Sequence, residues 1–271
     1  MSVDEIVALA CLPLSPSDAV VTAINAEVVD EGRRLAGNGD GKQLNLKLLG
    51  GVAVAVACPE ALTRAELRRI YKDLDFAAPR KRSKAISDFL VSEGYVADRP
   101  FNALHGATRL LFFDTTNGRQ VDVFLDVFNM CHFLDLRERF ATPWAYLAPS
   151  DLLLMKLQIV QLNEKDVVDA IALALQHECG TEDGAGTMSV RRIAQVCSGD
   201  WGWYTTIRDN VEVVRDHAVR VLGQGADAEL VAARLGQVIS AIDDAPKSVK
   251  WKLRARVGRR VKWYELPDEV G

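Results

Sequence analysis

Residues 71–79 read YKDLDFAAP, and they set two carboxylates, Asp73 and Asp75, two positions apart in a short apolar run. A strand alternates its side chains, so a strand here points both aspartates to one side. Like charges side by side on a strand are unfavourable unless something cationic sits between them. The stretch therefore predicts a strand whose polar side serves a cation.

Working outward, QLNLKLL (43–49) alternates Leu44, Leu46 and Leu48 and reads as a strand with one buried face. Gly50-Gly51 breaks it, and VAVAVAC begins a small-residue helix that ends near Pro59. TRAELRRIY (63–71) has helical character, and KRSKAISDFLVSEGY (81–95) is an amphipathic helix stopped at Gly94. TRLLFFD (108–114) and RQVDVFLDVF (119–128) flank TTNG, whose Asn-Gly step is a strong hairpin signal. A helix over 17–36, with Ser17 as N-cap, precedes all of this and leads into a turn, GNGDGK (37–42). The predicted order after that helix is β-α-β-α-β-β. An antiparallel hairpin in such a pattern indicates a mixed sheet.

Beyond residue 133 the strand signals fade. Helices are expected over 150–162 (capped by Ser150), 163–177 (capped by Asn163), and about 189–198, 203–222 and 226–243, with a loop at 179–187. The fold class is α/β (α+β): a mixed sheet with flanking helices, then a mainly helical C-terminal domain. The division expected is 1–140 and 141–271.

Composition narrows the function classes. The chain has 271 residues, 49% of them hydrophobic, which is ample material for a core. A formal charge of −4 excludes a global basic field of the nucleic-acid-binding kind. Five scattered cysteines with no Cys-x-x-Cys pair read as reduced thiols, not a disulfide or zinc framework. The acidic start MSVDEIVALACLPLSP is unlike a signal peptide, and LLGGVAVAVAC is shorter than the roughly 18 residues a membrane span needs. A cytoplasmic protein with no membrane partner is expected.

The hairpin supplies a third carboxylate. Asp122 sits between Val121 and Val123, mid-strand, where an unpaired charge is costly. Asp73, Asp75 and Asp122 together make a pocket of oxygens suited to Mg²⁺ or Mn²⁺, hard cations that take carboxylate, water and phosphate oxygens. The glycines at Gly50 and Gly51 let the backbone approach a ligand, and the helix that follows offers free amides to a phosphate. The informative feature is the order: strand, Gly-Gly, helix, Asp-x-Asp strand, then a strand with one Asp.

At these residues the chain resembles the nucleotidyltransferase superfamily with the polymerase-beta-like fold. LLGG matches its glycine signature, KDLDF the Asp-x-Asp motif, and VDVF the third-carboxylate strand. DLLLMKLQ followed by EKDVVDAIAL looks like the Lys and Lys-Asp helices of the AbiEii/MenT-like branch, which includes toxins of toxin–antitoxin pairs. The resemblance spans roughly 44–175. The interval from Gly51 to Asp73 is longer than in compact members, and glycine occupies the second signature position in place of serine. The resemblance implies a transferase that moves NMP from an NTP to a hydroxyl acceptor. It implies Asp73, Asp75 and Asp122 as metal ligands, with Asp122 also the general base, and Gly50 and Gly51 as the triphosphate site. It further implies Lys156 on the nucleotide phosphates, with Asp166 or Asp169 completing the Lys-Asp pair. An RNA or tRNA acceptor and an antitoxin partner follow from the same branch. A small-molecule (antibiotic) acceptor and a non-catalytic nucleotide-binding module are the competing readings.

Several residues carry two readings. Asp73 and Asp75 also suit the start of a strand at a solvated edge, and Asp122 an outward position on a half-exposed hairpin. Asp126 lies near a strand end and reads as structural or solvated. Lys156 suits either phosphate contact or a lysine snorkelling from an apolar helix, and Lys165 with Asp169 a routine i,i+4 pair. His105 and Arg109 lie near the hairpin, within reach of substrate or of the turn. Cys131-His132 reads as core packing rather than zinc binding. KSVKWKLRARVGRRVKW (247–263) has eight basic residues, no acidic one, and Trp251 and Trp263. It suits an RNA-binding surface, or a solvated helical face or strand covering an acidic domain.

Overall fold

Leu74, Phe76, Ala77 and Ala78 are all buried, so the strand they build has apolar cover on both faces and takes an interior position in a sheet. This strand, β2 (Leu74–Ala78), lies between β1 (Lys47–Leu49), antiparallel to it, and β5 (Arg119–Leu125), parallel to it. The structure, a computed structural model, describes residues 18–266.

The Asn-Gly hairpin forms. Strand β4 (Arg109–Asp114) pairs antiparallel with β5 from Asp114↔Arg119 to Arg109↔Phe124. Asp114 closes the turn by accepting from the amides of Thr116 and Asn117. A short strand, β3 (Val96–Ala97), adds to β4, giving the order β1-β2-β5-β4-β3. The sheet is mixed, as expected. It belongs to a first unit that, among the described residues, is formed by 18–56, Arg69–Val127 and Leu136–Tyr146. Its helices are α1 (Asp18–Gly41), α2 (Gly50–Ala57), α3 (Ser83–Ser92) and α4 (Arg99–His105).

The second unit, among the described residues, comprises Ala57–Arg68, Phe128–Asp135 and 147–266. It is mainly helical: α5 (Pro149–Leu157), α6 (Glu164–Gln176), α7 (Val190–Gly199), α8 (Trp201–Leu222), α9 (Ala226–Asp244) and α10 (Val249–Val257). Strands β6 (Val127–Asn129) and β7 (Phe133–Asp135) form one small sheet, and β8 (Glu178–Gly180) and β9 (Thr187–Ser189) another. Asn163 caps α6 as its sequence predicts, accepting from the Asp166 amide. Among the described residues no helix is long and apolar enough to cross a membrane.

Six local expectations change. The strand expected over 43–49 shortens to Lys47–Leu49, with Gln43 and Asn45 at φ of +58° and +54°, and the helix expected over 150–162 ends at Leu157. Helix α1 runs on through the predicted 37–42 turn to Gly41; Asp40 in its last turn is held by the buried ammonium of Lys47, 2.9 Å away. Ser17, the expected cap of that helix, lies outside the described residues. The segment 63–71 is not an α-helix: two 3₁₀ turns, Ala61–Thr63 and Ala65–Leu67, are followed by extended chain. Gln176 accepts from the amides of Glu60 and Ala61, and Arg64 pairs with Asp227 at 2.6 Å, so contacts distant in sequence override helical propensity. Ser150 is not an N-cap; it sits inside α5 and its hydroxyl donates to Asp183. The expected 179–187 loop carries β8 and β9 at its ends.

Two buried histidines make the second unit sensitive to acid. His132 places Nε2 2.8 Å from the Thr206 hydroxyl, and His177 is fully buried. Burial lowers the pKa of each to about 4. The unfolded chain protonates them near 6.5, so this contribution to stability is intact above about pH 6.5 and is lost as pH falls toward 4. The expected loss is on the order of 2–3 kcal/mol per histidine by pH 4. Urea midpoints measured between pH 7 and 4.5 should fall, and His132→Gln should make the fall shallower. A wild-type midpoint independent of pH over that range would contradict the assignment.

Candidate functional site

Asp75 and Asp122 are register partners on the parallel strands β2 and β5. Partners on adjacent strands lie about one inter-strand spacing apart, ~4.8 Å, with their side chains on the same face. Asp122 is only 4% exposed. Its Oδ1 accepts from Arg109 Nε and its Oδ2 from Gln120 Nε2, both at 2.6 Å. Arg109 also lies over the rings of Phe124 and Phe101, at 5.0 and 5.6 Å. The cation that Asp122 requires is thus supplied by the neighbouring strand of the same hairpin.

The glycine step backs onto this face. Gly50 has φ of +68°, and a Cβ there would stand 2.3 Å from Asp75 Oδ2. No other residue type satisfies both conditions, because the left-handed backbone and the close carboxylate each exclude a side chain. A Cβ on Gly51 would stand 2.0 Å from Arg69 Nη2. Arg69 itself lies over the Tyr71 ring at 4.5 Å. The N-terminus of α2 is therefore open to close approach from a carboxylate on one side and a guanidinium on the other. Helix amides and guanidinium groups attract phosphate oxygens, while paired carboxylates attract hard cations.

Not every expected residue joins this group. Asp73 is exposed and lies just before β2 begins at Leu74. Asp126 lies beyond the end of β5 with φ of +62° and accepts from the Arg80 amide, a structural position. Among the described residues no group of three His, Cys, Asp or Glu side chains is placed to hold a metal ion. Asp75 and Asp122 fit an ion held by two protein carboxylates that completes its shell with phosphate and water oxygens, as Mg²⁺ does. Sequence reasoning missed Arg69 and Gln120, and it placed Arg109 near the hairpin without its partner. Gln120 lies two residues from Asp122 on one strand, so their shared face was readable from the period of two.

Lys156 and Asp166 belong to the second unit. Lys156 Nζ lies 3.0 Å from Asp166 Oδ1 and 2.9 Å from Asp169 Oδ2. This corrects two readings. Lys156 does not snorkel to solvent, and Asp169, 1% exposed, turns inward to Lys156 rather than pairing with the exposed Lys165. His105 ends α4 on an exposed turn, its ring tilted against Phe101 at 4.6 Å, while Cys131 and His132 are buried.

The basic stretch divides into two sets. Trp251 donates to the Cys197 carbonyl and Trp263 to Thr206 Oγ1. Lys247 donates to the carbonyl of Ile242 at the end of α9, Arg254 to those of Gly258 and Val261, and Arg259 to Asp209. Lys250, Lys252, Arg256 and Arg260 are exposed and make no side-chain bond among the described residues.

Lys156→Ala removes an ammonium shared by two carboxylates, one of them buried. Breaking such a group should destabilise the protein by about 3–5 kcal/mol, read as a lower urea midpoint; a wild-type midpoint would contradict the pairing. Gly50→Ala should cost about 2–4 kcal/mol from left-handed backbone and overpacking. Adding Asp75→Ala should recover part of that loss, and strict additivity of the two changes would contradict the close approach. No protein-family model matches the chain, and no curated protein matches it.

Proposed function

We propose that the chain is a divalent-metal-dependent nucleotidyltransferase that moves NMP from an NTP to a hydroxyl acceptor and releases pyrophosphate. The observation that carries the reading is the placement of Asp75 beside Asp122 with the N-terminus of α2 backed onto Asp75. In this reading Asp75 and Asp122 hold the ion, and Asp73, exposed just before β2, stays outside that pair. Mg²⁺ or Mn²⁺, when bound, neutralises charge on the triphosphate and on the departing pyrophosphate. The Gly50 and Gly51 backbone admits phosphate oxygens where a side chain would block them. Arg69, beside Gly51, adds a guanidinium to the same place. Asp122 takes the acceptor proton as the acceptor oxygen bonds to the α-phosphorus and the bond to the β-phosphate oxygen breaks. Arg109 and Gln120 hold that carboxylate in one orientation, so positioning and charge supply the barrier lowering.

The acceptor in this reading is RNA. The exposed cations Lys250, Lys252, Arg256 and Arg260 support it, because phosphodiester chains are bound by such exposed charges.

Two measurements test the reading. Mg²⁺ or Mn²⁺ with an NTP should raise the melting temperature of the wild type, since ligand at about 100 Kd stabilises by about 2.7 kcal/mol. Asp75→Asn should stay folded and lose the response, and an equal shift in the variant would contradict the metal assignment. Pyrophosphate release should appear with total RNA. Release only with an aminoglycoside would select a small-molecule acceptor, and release with neither would refute transfer.

A further inference from the structure

A cavity of about 580 Å³ opens in the second unit, lined by the aromatic side chains of Phe133, Trp203, Trp263 and Tyr264. Three features define its chemistry. The first is a rigid aromatic lining. Trp203 donates to the Phe133 carbonyl at 3.1 Å, and Trp263 donates to Thr206 Oγ1 at 3.1 Å and meets Tyr264 edge-on at 5.3 Å. Phe133 nevertheless stands 57% exposed on β7, an aromatic face turned to solvent while its backbone is anchored.

The second feature is a lining cation. Lys262 lines the cavity and lies over the Tyr264 ring at 5.3 Å, while Arg259, outside the lining, lies over Trp263 at 5.3 Å and donates to Asp209. Arg260, between them in the chain, is exposed and makes no side-chain bond among the described residues. The third is acceptor capacity. Asp200 uses Oδ1 alone to cap α8, accepting from the Gly202 and Trp203 amides, and its Oδ2 takes no bond among the described residues. Glu265 also lines the cavity, anchored through its backbone amide to the Cys131 carbonyl while its side chain is exposed.

A bare phosphate does not suit this mixture, because two carboxylates face the cavity. An organic cation does not suit it either, since the Lys262 ammonium already stands in the lining beside Tyr264. A nucleoside unit uses all three features. Its base stacks on the open face of Phe133, its exocyclic amine or ribose hydroxyl donates to a carboxylate, and its phosphodiester meets Lys262. The volume lies within the range that holds a molecule of that size.

We propose that this cavity binds a nucleoside unit of a single-stranded polynucleotide. The proposal extends the RNA-acceptor reading but concerns binding, so it stands or falls without transfer. It assigns Phe133 the stacking role and Lys262 the phosphate role.

The test is fluorescence anisotropy of the full chain with a labelled single-stranded oligoribonucleotide of about eight nucleotides, a length typical of single-strand sites. Salt is varied between about 50 and 200 mM. Phe133→Ala should weaken binding roughly tenfold, about 1.4 kcal/mol, at every salt concentration. Because Phe133 is mostly exposed, this variant should keep the wild-type urea midpoint, and Phe133→Tyr should restore affinity. Lys262→Ala should reduce the slope of log affinity against log salt by about 0.7, one phosphate contact on a single strand. Four outcomes overturn the proposal: no binding by the wild type, unchanged affinity in Phe133→Ala, equal binding of a duplex of the same sequence, or equal binding of dextran sulfate. Pyrophosphate release on the same samples with Mg²⁺ and NTP added separates the two readings. Binding without release refutes transfer to this RNA and leaves the cavity assignment standing; release with unchanged Phe133→Ala affinity refutes the cavity assignment alone.

Discussion

The parallel register of β2 against β5 decides what the centre of the sheet contains. It sets Asp75 beside Asp122 in the interior of a five-stranded sheet. At about 5 Å and an effective dielectric of about 20, two such charges repel by about 3 kcal/mol. The surrounding elements answer that repulsion. Arg109 and Gln120 take both oxygens of Asp122, and the glycine step brings the N-terminus of α2 against Asp75. A slip of one residue would set Asp75 against Val121 or Val123 and turn β2's apolar side chains to the wrong face. The apolar residues that fix the register therefore also fix the carboxylate pair.

The second unit manages charge differently. Lys156 sits between Asp166 and Asp169, and Arg192 lies 3.1 Å from the fully buried Asp151, so its interior charges are compensated within the unit. The basic stretch follows the same logic in part. Its indoles and some of its cations anchor it: Lys247 and Arg254 occupy backbone carbonyls, and Arg254 lies 4.6 Å over Trp201. The remaining cations face solvent, so the stretch reads as a docked segment carrying exposed charges rather than a uniformly basic tail.

Elements with strong local signals were legible in the sequence. The Asn-Gly hairpin, the Asn163 cap and the Gly50-Gly51 step each rest on a conformational preference confined to a few residues. The shared face of Gln120 and Asp122 was legible too, as was that of Arg109 and Asp122 once the turn sets Arg109 opposite Phe124. What the sequence hid depends on distant partners. Helix α1 crosses three glycines to reach Gly41, with Lys47 holding Asp40. Residues 63–71 abandon helix where Asp227 engages Arg64, just after Gln176 has taken the amides of Glu60 and Ala61, and Ser150 turns to Asp183 rather than capping α5. Lys165 is the obvious helical partner of Asp169, yet a lysine on another helix takes that place. Side-chain choice among several nearby partners is set by tertiary packing, which local spacing does not encode.

The central claim is that Asp75 and Asp122 together hold a divalent ion in the presence of a nucleotide. Anomalous diffraction from crystals grown with Mn²⁺ and a non-hydrolysable NTP analogue tests it most directly. The expected result is a manganese peak within about 2.0–2.3 Å of a carboxylate oxygen from each residue, bridged to the triphosphate beside Gly50 and Gly51. A nucleotide bound elsewhere, or bound there with Asp122 still held by Arg109 and no ion between the carboxylates, would contradict it.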